Sequence, residues 1–134
     1  MSKLIDIEGI GEGYARKLMA GGIKTARELL NQGATAQGRK SIAEKTSISD
    51  KVILEWVNHL DLFRVKGVGG QYADLLEEAG VDTVVELAQR NPDSLHLKLQ
   101  AINQEKKLVR KLPTAFQVKS WIQQAAKLPR VVSH

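Results

Sequence analysis

The chain contains no cysteine, so disulfides, thiolate zinc sites and cysteine nucleophiles are all excluded. Its three histidines, His59, His96 and His134, stand too far apart for a metal-ligand spacing, and no metal or other cofactor is expected. No apolar run approaches the roughly 18 residues needed to span a bilayer. Met1 to Gly9 also lacks the basic start and long apolar stretch of a signal peptide. The expectation is a cytoplasmic chain with no membrane contact. Carboxylates do not recur in pairs and no serine has a histidine base nearby in sequence, so neither catalysis nor a small-molecule substrate is expected. No segment alternates at period two, which argues against strands. Aromatics are scarce, two each of Phe, Trp and Tyr. Both tryptophans fall at repeated apolar positions, so base stacking is not expected to contribute.

What is present is an ordinary globular composition over 134 residues, 43% apolar and 26% charged, with a net charge of +5. The charge is unevenly placed. Residues 1–64 carry +2, residues 65–86 carry −4 and residues 87–134 carry +7. A positive surplus favours polyanionic partners, and here it belongs to the C-terminal third.

The chain also repeats itself. IEGIGEGYARKL (Ile7 to Leu18) returns as VKGVGGQYADLL (Val65 to Leu76), and at an offset of 58 residues 7–30 and 65–88 share nine identities in 24 positions. Among them are Gly9/Gly67, Gly11/Gly69, Tyr14/Tyr72, Ala15/Ala73 and Gly22/Gly80. The match fades and then resumes with Trp56 and Trp121 at an offset of 65, so seven residues entered the second copy. QEKKLVRKLP, Gln104 to Pro113, is the expected place.

Each copy reads as short helices. Tyr14, Ala15, Leu18 and Met19 share one face, and Gly21 and Gly22 stop the helix. Thr25 with Glu28, and Thr83 with Glu86, have capping-box spacing. Asn91–Pro92 reads as an N-cap and first helical residue ahead of Leu95, Leu99 and Ile102. Ser49 and Thr114 are expected to cap helices burying Val52, Ile53, Trp56, Val57 and Leu60, and Val118, Trp121, Ile122 and Ala125. The fold expected is all-α, with two units over 1–61 and 62–134, each of four to five short helices. The join at Asp61 to Arg64 has no flexible-linker composition, so the units are expected to pack together.

Gly, aliphatic, Gly, three residues, Ala, two residues, Leu resembles the helix-hairpin-helix motif, and the two copies together imply tandem SAM-like units. Over nearly the whole chain, through EGIGEGYARKLMAGGIKT, ILEWVNHLDLFRVKGVG, YADLLEEAGVDTVVELAQRNPDSLHLKL and EKKLVRKLP, the sequence resembles a family of bacterial tandem helix-hairpin-helix proteins catalogued as a domain of unknown function. That resemblance implies the fold and an association with nucleic acid. It also implies that Thr46 to Ser49 is a degenerate second hairpin, its counterpart in the second unit being replaced by the basic insertion.

In such a turn glycine permits positive φ and close approach, while exposed amides at the helix start attract anions. The other reading is a sharp turn between packed helices. The function expected is non-enzymatic binding of nucleic acid, duplex DNA first, through its sugar-phosphate backbone and without sequence specificity. The candidate residues are Gly9, Ile10, Gly11, Arg16 and Lys17 in the first unit, and Lys66, Gly67, Val68 and Gly69 in the second. Lys98, Lys106, Lys107, Arg110 and Lys111 form a basic surface whose alternative reading is a solvated face. Glu8 and Glu12, and Asp74, Glu77 and Glu78, would oppose phosphate at their turns. The second hairpin is therefore the more doubtful, and a protein partner at its acidic residues is the alternative, in an interaction or scaffold module of the same fold. Gly11→Val is expected to damage folding and binding together.

Overall fold

The computed structural model describes Leu4, Ile7 and residues 9–134. Among these residues it is all-helical, with α1 (Glu12–Ala20), α2 (Ala26–Gln32), α3 (Ala36–Thr46), α4 (Asp50–Leu62), α5 (Gly70–Glu78), α6 (Val84–Ala88), α7 (Pro92–Lys106) and α8 (Ala115–Lys127). None of these helices is long and apolar enough to cross a membrane. The chain divides into two compact units, Met1–Asp61 with Val131–His134, and Leu62–Arg130.

The helices begin where short polar side chains can satisfy orphan amides. Thr25 accepts from Glu28 N at 3.1 Å, Thr35 from Gly38 N at 3.0 Å, and Asn91 from Ser94 N at 3.0 Å, with Pro92 opening α7. Ser49 Oγ accepts from Lys51 N at 3.2 Å, and Thr114 forms a full capping box with Gln117. Thr83 departs from the expected pattern. It is buried, and its hydroxyl donates to Glu86 Oε1 at 3.1 Å, leaving α6 without a side-chain cap. Helices α1 and α5 end alike, with Gly22 and Gly80 at φ +93° and +87°, Ile23 N donating to Leu18 O and Val81 N to Leu76 O.

In the first unit α3 packs against α1 and α2, over a core that includes Leu18, Ile23, Leu29, Ile53 and Leu60. Helix α1 buries only Ala15 and Leu18; Met19, expected on the same stripe, is 54% exposed. The last residues, expected with the second unit, join the first. Val132 is buried, Ser133 N donates to Ala34 O at 2.8 Å, and Ser133 O accepts from the Arg39 guanidinium at 2.8 Å. Arg39 also donates to the carbonyls of Gly33 and Ala34. Burial pushes its pKa down, partly offset by the charge of Asp50, and three carbonyl acceptors make a buried guanidinium tolerable.

In the second unit α8 packs against α6 and α7, and α5 against α7, around Leu75, Leu76, Leu87, Leu95, Leu99 and Trp121. The extra residues of this copy are visible as two differences, partly offset by α6, which has 5 residues where α2 has 7. Helix α7 has 15 residues where α3 has 11. Both helices end on a left-handed residue, Ser47 (φ +60°) and Lys107 (φ +51°). In the first unit only the buried Ile48 then separates Ser47 from the capping Ser49, whereas residues 108–113 separate Lys107 from Thr114. The expected insertion thus starts inside the last turn of α7 and continues as a strap.

Candidate functional site

Both glycine turns are wound by the same bonds. Ile10 N donates to Ile7 O at 3.0 Å and Ile7 N to Leu4 O at 3.1 Å; Val68 N donates to Val65 O at 3.2 Å and Val65 N to Leu62 O at 3.1 Å. Ile10 and Val68 are buried and plug each turn into its unit. Their amides, expected to meet phosphate, are already engaged, so the available donors start one residue later.

The two glycines of each turn differ in kind. Gly9 and Gly67 have φ of +90° and +96°, and a Cβ there would lie 3.5 Å from Trp56 Nε1 and 3.0 Å from Trp121 Nε1. The fold itself requires glycine at both. Each indole is in turn covered by the tyrosine of its repeat, Tyr14 at 5.0 Å between ring centroids and Tyr72 at 5.2 Å. Gly11 and Gly69 instead have φ of −84° and −98° with ψ near 180°, an extended conformation open to any residue. A Cβ on either meets nothing within 4 Å. The expectation that Gly11→Val would damage folding is therefore corrected: the space outside that glycine is open.

Gly11 and Gly69 are the N-caps of α1 and α5, and neither helix has a side-chain cap. Among the described residues, no acceptor takes the amides of Gly11, Glu12 and Gly13, or of Gly69, Gly70 and Gln71. The contrast with Ser49 and Thr114, which cap α4 and α8 with their own oxygens, is direct. Five helix starts are closed by side chains, α6 begins at the buried Thr83, and the starts of α1 and α5 are left open to an outside acceptor.

A family model matches residues 8–128. The chain belongs to that family, described as a domain of unknown function (DUF4332). No curated protein and no solved structure matches it.

What surrounds the open starts is unequal. Beside the first turn, Glu12 carries a carboxylate in the first turn of α1 and meets Arg16 at 3.9 Å, with both side chains well exposed; Lys17 is exposed as well. Glu8 lies outside the described residues. Beside the second turn the strap folds back. Gly67, Gly69, Gly70, Gln71 and Tyr72 line a cavity of about 460 Å³ with Val109, Arg110 and Lys111. Three side chains pin the strap there. Asn103 holds Val109 through both its backbone groups, at 2.9 and 3.1 Å; Tyr72 donates its hydroxyl to Lys111 O at 2.9 Å; and His96 Nε2 bonds Pro113 O at 2.9 Å. The turn is held from another side by Gln124, which accepts from Lys66 N at 2.9 Å and donates to Lys66 O at 3.2 Å.

Of the residues named from sequence, the structure thus joins Gly67, Gly69, Arg110 and Lys111 in one cavity, with Lys66 alongside in the turn and exposed. Lys98 stands exposed on α7 and Lys107 at its left-handed end. Lys106 is turned to another use. It bonds the Glu78 carboxylate, which holds its pKa above the usual lysine value, and so neutralises one of the acidic residues expected to repel phosphate. Gly70, whose amide was expected to meet phosphate, lines the cavity too, as do Tyr72, expected at the edge of the core, and Gln71 and Val109, which the sequence reading did not single out. The matched repeat position of Tyr72 and the place of Gln71 beside it could have indicated both. Nothing local marks Val109.

Proposed function

We propose that this chain is a non-enzymatic module that binds nucleic acid by its sugar-phosphate backbone, each glycine turn serving as a helix-hairpin-helix grip. The observation that carries this reading is the pair of open helix starts at Gly11 and Gly69, where the fold has no use for glycine and leaves the amides without an acceptor. A missing side chain that does nothing for packing makes sense as room for an approaching ligand. Amides at a helix start favour an anion, and phosphate is the anion a nucleic acid repeats along its length. The second turn is the principal grip, because Arg110 and Lys111 stand at its cavity. Contacts of this kind hold the backbone and read no sequence.

Fluorescence anisotropy with labelled duplex DNA tests the reading. Neutralising about three phosphates gives a log–log salt slope near −3, an affinity loss of about 60-fold between about 50 and about 200 mM salt. Absence of binding at low salt would overturn it in favour of a protein-interaction module built on the same helices.

A further inference from the structure

Five of the six aromatic side chains are gathered into the fold. Trp56 and Trp121 are buried, Tyr14 and Tyr72 lie against them, and Phe63 packs on the core of the second unit. Phe116 stands apart, with 80% of its surface exposed. It is the second residue of α8, whose buried stripe runs through Val118, Trp121, Ile122 and Ala125. Two residues before Val118, it lies about 200° round the helix from that stripe. The fold gains nothing from an aromatic ring there.

The surroundings say what could use it. Helix α8 is closed at its start, since Gln117 N donates to Thr114 Oγ1 at 3.0 Å and Thr114 N to Gln117 Oε1 at 2.8 Å. No phosphate grip is on offer at that point, only the face of a ring. Cations stand on either side in the chain: Arg110 and Lys111 before it, at the cavity of the second turn, and exposed Lys119 one helical turn after it. Phe116 follows Lys111 by five positions, a span of at most about 18 Å, which a strand crosses in a few nucleotides.

We infer that Phe116 is a stacking platform for an unpaired nucleobase, so that the preferred ligand is a strand with a single-stranded segment adjoining the backbone held at Arg110 and Lys111. The inference rests on the backbone-gripping reading above. A base inside a duplex has both faces covered by its neighbours, whereas an unpaired base offers a face to an exposed ring, and every base has one. The positive flanks select a polyanion over an apolar protein surface as the occupant.

The test uses the full chain and three labelled DNAs: a blunt duplex, the same duplex with an unpaired extension, and that extension built from abasic residues, which keeps the phosphates and removes the bases. The unmodified chain binds the native extension on the order of tenfold tighter than the abasic one. Phe116→Ala brings the two to the same affinity, Phe116→Trp restores the difference and Phe116→Leu does not. Equal affinity for native and abasic extensions in the unmodified chain, or a ratio untouched by Phe116→Ala, overturns stacking while leaving the backbone grip standing. Rescue by Leu assigns the position to an apolar protein partner instead. Failure to bind even the blunt duplex at low salt overturns both.

Discussion

The two glycine turns are one backbone in two settings. Their left-handed glycines differ by only a few degrees in φ, each rests on a tryptophan, and each ends at an uncapped helix start. The first has Glu12 at its helix start, whereas the second has the strap with Arg110 and Lys111 beside it. Duplicating a motif reproduces its amide donors faithfully, because hydrogen bonds of the turn and a buried aliphatic residue fix them. It does not reproduce their usefulness, which depends on charges supplied from elsewhere.

The likeness of the turns can be broken first at its base. Trp56→Ala and Trp121→Ala should each cost about 3–5 kcal/mol in chemical denaturation, since both indoles are buried beneath a turn. A cost well under about 1 kcal/mol in one unit would show that its turn does not lean on the indole. The difference between the turns is sharpened next by charge. Arg110→Glu with Lys111→Glu should lower duplex affinity by about 50-fold or more and reduce the salt slope by about 2, while Arg16→Glu with Lys17→Glu should change affinity only a few-fold. Equal losses would put the two turns on a par. Serine offers a finer instrument, because it is a preferred N-cap. Gly69→Ser should raise stability by a few tenths of a kcal/mol yet weaken duplex binding about fivefold to tenfold, its hydroxyl occupying the amides; Gly11→Ser should bring the same gain with less loss of binding. A fall in stability would mean that the fold needs these glycines after all.

The smallest effect concerns Lys106 and Glu78. Their bond raises the lysine pKa, so its contribution is complete below the ordinary value of 10.5 and is lost as pH rises through the raised one. Thermal unfolding of Glu78→Gln should therefore differ slightly from that of the unmodified chain at neutral pH, and the difference should close in strong alkali. A gap that persists there would assign it to something other than the charge pair.

Much of the fold was legible because it is written in local chemistry. Apolar spacing gave the stripes of α4, α7 and α8; Asn91–Pro92 and Thr114 marked helix starts; and the repeat located both turns. Where the reading missed, the reason was tertiary. Met19 satisfies the spacing of the buried face of α1, yet more than half of it stays exposed. Thr83 and Glu86 have the spacing of a capping box, but burial turns the threonine hydroxyl toward the carboxylate. The return of the strap to the second turn depends on Asn103, Tyr72 and His96, which lie four or more residues from what they hold. The second turn therefore looked the weaker on charge read along the chain, and the structure places cations there. Phe116 could have been noticed, since it sits off the stripe already assigned to α8.

The open space outside Gly69 also bears on how such a chain could change. A change to serine at that position keeps every packing contact described for the second unit while closing its helix start. If the proposed anion grip at this start is real, descendants could thus abandon it without losing their architecture, and the letter at this position would tell, in any one of them, which course it had taken.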